Sequence, residues 1–154
     1  MIPSDGRPRP ITIYTMGFTK KSAEDFFTLL KNAGVRRVID VRLNNVSQLA
    51  GFSKRPDLEY FLGEIGDIGY VHLPELAPTQ ELLDEYRNKK GSWSAYEAKF
   101  LRLVSARTIE DRVSQDLLAG SCLLCSEAEP DRCHRRLVAE YLKEKWGDVS
   151  IVHL

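Results

Sequence analysis

The stretch SCLLCSEAEPDRCHRRLVAEYL, from Ser121 to Leu142, decides how the chain is read. Cys122 to Cys125 is a short apolar run between Gly120-Ser121 and Glu127. It is too short for a helix and fits a buried strand. Pro130 suits a first helical position, because its ring fixes φ and its missing N–H is not needed there. A helix is therefore expected from Pro130 to Gly147. Cys133, Leu137 and Tyr141 recur at four-residue spacing beside His134, Val138 and Leu142, which makes one apolar face. Val149–Val152 supplies a strand after it.

The same pattern extends backwards. Ile11–Met16 (ITIYTM) is a β-branched and aromatic strand ending at Gly17. Ser22 caps a helix over Ala23–Ala33, and Gly34 stops it. Val35–Val41 is the next strand, which completes a βαβ unit with parallel strands. Leu43–Pro56 has no periodicity, and a loop of that length inside a domain is usually functional. A helix then starts at Asp57, and Ile68–Leu73 is a third strand. Thr79 caps a helix to about Asn88, Ser94 caps another, and Ile109–Leu118 reads as one more. The sum is a single α/β domain over residues 1–154, a three-layer sandwich around a mostly parallel five-stranded sheet. Residues 1–10 read as a Pro-rich surface arm.

Composition narrows the function classes. Twenty-two basic residues balance 22 acidic ones, so net charge is zero and indiscriminate gripping of a phosphate backbone is disfavoured. A local basic groove stays open, and with it nucleic-acid contact through the 43–56 loop and the arm. No apolar run approaches the ~20 residues of a membrane span, so no membrane partner is expected. Three cysteines without a secretory signal point to a reduced, cytoplasmic protein.

In open parallel sheets ligands bind beyond the carboxyl ends of the strands. Those ends carry Thr15 and Gly17, Asp40 and Arg42, His72 with Glu75, Cys125 with Glu127, and His153. Arg132, Arg135 and Arg136 fall in the first turns of the helix expected at Pro130, where cations are disfavoured by roughly 0.3–1 kcal/mol each. Two readings account for them. Glu127, Glu129 and Asp131 form an ion-pair knot with the arginines, or a bound anion neutralises them.

Other chemistries fit less well. Cys122-x-x-Cys125 has zinc-ligand spacing, but residues three apart on a strand point to opposite faces, so no metal site is expected. A thioredoxin-like site fails for the same reason. A Cys125–Cys133 disulfide across the turn would be a redox switch; buried packing is the competing reading for Cys122 and Cys133. The segment CSEAEPDR loosely matches a phosphatase cysteine and arginine around a phosphate loop, yet its acids repel phosphate and it has no glycine. Trp93 and Trp146 read as core or cap rather than as stacking platforms.

Several stretches together resemble the domain-of-unknown-function family 488 of small bacterial and archaeal proteins. They are YTMGFT (Tyr14–Thr19), VIDVR (Val38–Arg42), YVHLPEL (Tyr70–Leu76), LLCSEAEPDRCHRRLVAEYL (Leu123–Leu142) and the closing VHL (Val152–Leu154). The resemblance implies an α/β sandwich. It marks Gly17, Asp40, Arg42, His72, Pro74, Glu75, Cys125, Glu127, Cys133, His134 and Arg135 as signature positions. Two departures stand out: Phe18 replaces the usual histidine of the first motif, and Asn44-Asn45 replaces a proline.

These readings converge on a polar pocket at the strand ends that takes a small anionic ligand such as a nucleotide or phosphorylated compound. Gly17, Asp40, Arg42, Cys133, His134 and Arg135 would bind it. Glu75, Glu127 and His72 would move protons, and Cys125 would be nucleophile or wall. No cofactor is expected. The alternatives are a binding or regulatory module that contacts nucleic acid, and a thiol redox sensor using Cys125 and Cys133.

Overall fold

The strands form one five-stranded, all-parallel sheet in the order β3-β2-β4-β1-β5. They are β1 Ile11–Gly17, β2 Arg37–Asp40, β3 Gly69–His72, β4 Ser121–Cys125 and β5 Val149–His153. The computed structural model describes residues 10–44, 54–87, 89, 91–127 and 129–154. The expected arm before Pro10 and the middle of the 43–56 loop lie outside the described residues.

Strand alternation builds the layers. Cys122 and Leu124 pack with Met16 and Val38 against Phe26, Phe27 and Leu30 of α1 (Ala23–Ala33) and Leu58 and Leu62 of α2 (Arg55–Gly66). Leu123 and Cys125 join Ile13 and Ile39 on the opposite face. There they meet α3 (Gln80–Arg87), α4 (Trp93–Ala106), α5 (Ile109–Arg112), α6 (Gln115–Leu118) and α7 (His134–Trp146). β4 is buried along its whole length, as a central parallel strand covered on both faces must be. The expected α/β sandwich is the observed architecture.

Local boundaries moved where side chains compete with backbone. Ser92, not Ser94, caps α4 and accepts from the Ala95 N–H at 3.1 Å. Trp93 thereby becomes the first helical residue. After α3 the Gly91 N–H donates to the Glu85 carbonyl at 3.0 Å, and a Cβ there would lie 2.8 Å from that oxygen. The helix expected over Ile109–Leu118 is two single turns. Val113 is extended (φ −115°, ψ 142°), and Ser114 caps the second turn by accepting from Leu117 N–H at 3.0 Å.

The helix expected from Pro130 starts at His134 instead. Cys133 is its extended N-cap residue (φ −137°, ψ 138°). Pro130 and Asp131 sit in a turn whose carbonyls accept from the Arg136 guanidinium at 3.3 and 3.0 Å. Capture of those carbonyls by a side chain, with residue 133 drawn toward Cys125, outweighs the helical preference of Pro130. Among the described residues no helix is long and apolar enough to cross a membrane.

Candidate functional site

β4 lies between β2 and β1, and all three run the same way. The chain leaves β1 and β2 for α1 and α2 on one face, and leaves β4 for α7 on the other. A crevice opens where such connections diverge. Gly17 stands opposite Cys125 across β1 and β4, and Asp40 stands opposite both Leu124 and His72. The carbonyl of Glu127 arches directly over Gly17, so closely that a Cβ there would lie 1.5 Å from its oxygen. A side chain at 17 would push the loop off the sheet.

Arg135 holds this crossing from below. It is fully buried. Its Nη1 donates to the Glu127 carbonyl at 2.6 Å and lies 3.1 Å from Cys125 Sγ, while Nε reaches Thr15 Oγ1 at 3.4 Å. Thr15 Oγ1 in turn lies 2.5 Å from His153 Nδ1. Burial pushes the Arg135 pKa down, yet an arginine stays cationic in a protein. Lys21 donates to the Gly17 carbonyl at 2.8 Å; burial, then the Arg135 charge, lower its pKa.

Asp40 and Arg42 form a second fixed unit. Arg42 Nε and Nη2 donate to the two carboxylate oxygens of Asp40 at 2.9 and 2.8 Å, and both side chains are buried. Tyr70 donates its hydroxyl to Asp40 Oδ2 at 2.6 Å. His72 Nε2 lies 2.8 Å from the Arg42 carbonyl, so that nitrogen carries the proton. The Arg42 guanidinium sits over the Phe18 ring, 5.3 Å from its centroid. Phe18, at the position where the family histidine was expected, thus serves as a platform for a cation.

Above these units is a cavity of about 360 Å³. Arg42, Cys125, Glu127, Cys133 and His134 line it. Gly17, Asp40 and Arg135 stand behind it, shaping the loop or orienting Arg42, and His72 acts from the same side through the Arg42 backbone. Glu75 is outside the lining too, on the 3-10 turn Pro74–Leu76, where its carbonyl accepts from Arg107 at 2.8 Å. Arg132, one of the arginines that the sequence offered to an anion, lines the cavity too. Arg87, Tyr86, Trp93 and Tyr96, from α3 and α4, were not anticipated as site residues.

The two readings of the arginine cluster resolve residue by residue. Arg136 pairs with Glu140 one turn on, at 2.7 Å, and with turn carbonyls. Arg135 is bound by backbone, hydroxyl and sulfur. Arg87, from α3, reaches Glu127 at 3.6 Å with both side chains about half exposed. Arg132 is exposed at the cavity. Among the described residues the acidic turn accordingly supplies carbonyls to these arginines, and Glu129 and Asp131 do not line the cavity.

His134 closes the inner wall. Its Nε2 donates to the Val41 carbonyl at 2.7 Å, and its ring lies 5.5 Å from that of Phe100. Burial pushes its pKa down to about 4, so the imidazole is neutral at physiological pH with Nδ1 as acceptor. Cys125 and Cys133 are joined by a disulfide. Cys122 is a free thiol on the opposite face of β4, and burial pushes its pKa up to about 12. Among the described residues no group of three His, Cys, Asp or Glu side chains is placed to hold a metal ion.

The family described as Domain of unknown function DUF488 matches residues 22–142, most of the chain. The chain belongs to the DUF488 family. Every DUF488 signature position named above lies within the match except Gly17. No curated protein and no solved structure matches the chain.

The His134 environment makes stability depend on pH. The folded-state pKa is depressed from 6.5 to about 4. Between those values the unfolded chain binds more protons, so stability is full above about 6.5 and is lost as pH falls toward 4, by on the order of 3 kcal/mol. Urea unfolding at several pH values in this window should show that slope, flattened in His134→Gln. Parallel slopes in the two proteins would remove His134 as its source.

Proposed function

We propose that the cavity binds a small anionic molecule, a nucleotide or another phosphorylated compound, in a cytoplasmic protein. The observation that carries this reading is the charge of its walls. Among the described residues, Arg42, Arg87 and Arg132 come from three separate segments to one cavity whose lining holds a single carboxylate, Glu127; Arg42 is already paired with Asp40 behind the wall. Arg42 is preorganised by Asp40 and Phe18, so its position costs little on binding. Arg87 and Glu127 form a half-exposed pair that an incoming phosphate competes with, and exposed pairs of this kind are worth only ~0–1 kcal/mol. Of the side chains expected to move protons, Glu127 is the one that faces the ligand. Turnover would fall to it, with Cys125 as nucleophile once reduced. The Arg135 N–H at 3.1 Å would favour its thiolate.

Titration calorimetry of the reduced protein with inorganic phosphate, sugar phosphates and nucleoside phosphates tests this. At least one should bind. Arg132→Ala should weaken it about tenfold or more, the value of a charge-assisted hydrogen bond. Glu127→Gln should tighten it by freeing Arg87. Absence of binding by every compound, or an Arg132→Ala protein that binds as well as the parent, would contradict the proposal.

A second reading, thiol redox sensing, is favoured by the Cys125–Cys133 bond at the cavity wall. Two thiols lost from three leave one, Cys122. Thiol titration in denaturant should therefore find one thiol after mild oxidation and three after reduction. Three thiols in both samples would end this reading.

A further inference from the structure

The cavity has an aromatic side that charge alone does not explain. Trp93, Tyr96 and Phe100 form a ladder of rings on α4. Trp93 and Tyr96 stack with centroids 5.1 Å apart and planes 24° apart, and Tyr96 and Phe100 are nearly coplanar in orientation, at 4°. Tyr96 and Phe100 are buried, whereas Trp93 is only partly covered. Trp93 is thus the outermost ring of the ladder, and it lines the cavity with Tyr86, whose centroid is 5.7 Å away. Trp93 and Tyr96 line the same cavity as Arg87 and Arg132.

We infer that this aromatic wall receives the base of a nucleotide while the arginines receive its phosphate, which makes Trp93 the residue that sets ligand class. The inference rests on the anion-binding reading of the same cavity. A flat ring adds naturally to a ladder of stacked rings, and base stacking on aromatic side chains tolerates any base. The two ends of the ligand fall on chemically matched walls: π-faces for the base, guanidinium groups for the phosphate. Asn44 and Ser126 line the cavity and present hydrogen-bonding groups suited to a base edge or a sugar hydroxyl. A volume of about 360 Å³ lies at the small end of ligand pockets, which fits one mononucleotide rather than a dinucleotide or a strand of nucleic acid.

The test compares adenosine, guanosine, cytidine and uridine monophosphates with ribose 5-phosphate and inorganic phosphate, by calorimetry on the full chain. At least one nucleoside monophosphate should bind about tenfold or more tightly than ribose 5-phosphate, the gain expected from one stacked base. Trp93→Ala should erase that gain while leaving ribose 5-phosphate affinity unchanged, and Trp93→Phe should keep most of it. Tyr86→Ala, a second change on the same wall, should reduce it if Trp93→Ala does not fold. Equal affinity for ribose 5-phosphate and all four nucleotides would overturn the inference and leave the anion site standing. So would a nucleotide preference that survives in folded Trp93→Ala. Failure of every probe to bind would overturn both.

Discussion

The site is built over a buried positive charge. Arg135 has no exposed surface, and a cation removed from water costs several kcal/mol unless its donors are satisfied. They are met by the Glu127 carbonyl, the Cys125 sulfur and the Thr15 hydroxyl, from the loop after β4, from β4 itself and from β1. One side chain of α7 therefore ties together two neighbouring strand ends and the loop that crosses them. The crossing is possible only because residue 17 is glycine. The Asp40–Arg42 pair repeats the device at the end of β2, with Tyr70 and Phe18 enclosing it.

From this constraint the character of the cavity follows. Behind the wall Arg42 and Arg135 are held by buried partners, whereas Arg87, Glu127 and Arg132 are half exposed or exposed at the cavity's rim. Its outer wall comes from a different source, the helices inserted between β3 and β4. Gly91 lies close against the Glu85 carbonyl at the end of α3, and Ser92 caps α4 one residue ahead of Trp93. The sheet thus contributes arginine, cysteine and carboxylate, and the insertion contributes rings and Arg87.

Much of the sheet was legible because buried parallel strands leave a plain signal: β-branched and apolar runs such as ITIYTM and VRRVIDV, closed by turns. The polar residues at the strand ends were legible for the same reason. Other features depended on contacts remote in sequence. Pro130 fits a helix start by its own geometry, and nothing local reveals that Arg136 takes its carbonyl. Arg135 reads as an anion ligand because it sits near a helix start. The contrary sign was present, since it shares a helical stripe with Val138, Ala139 and Leu142, all buried. The aromatic wall was the least visible part. Tyr86 and Trp93 lie on separate helices, and their rings meet only once α3 and α4 are packed together.

We propose the arginine-lined cavity at the ends of β2 and β4 as the place where an anion binds. A crystal structure of the reduced protein grown with a saturating nucleoside monophosphate tests it most directly. Phosphate density is expected within hydrogen-bonding distance of Arg132 and Arg87, with Glu127 turned away from Arg87. Nucleotide bound elsewhere on the surface, or an empty cavity with the Arg87–Glu127 pair intact, would contradict it.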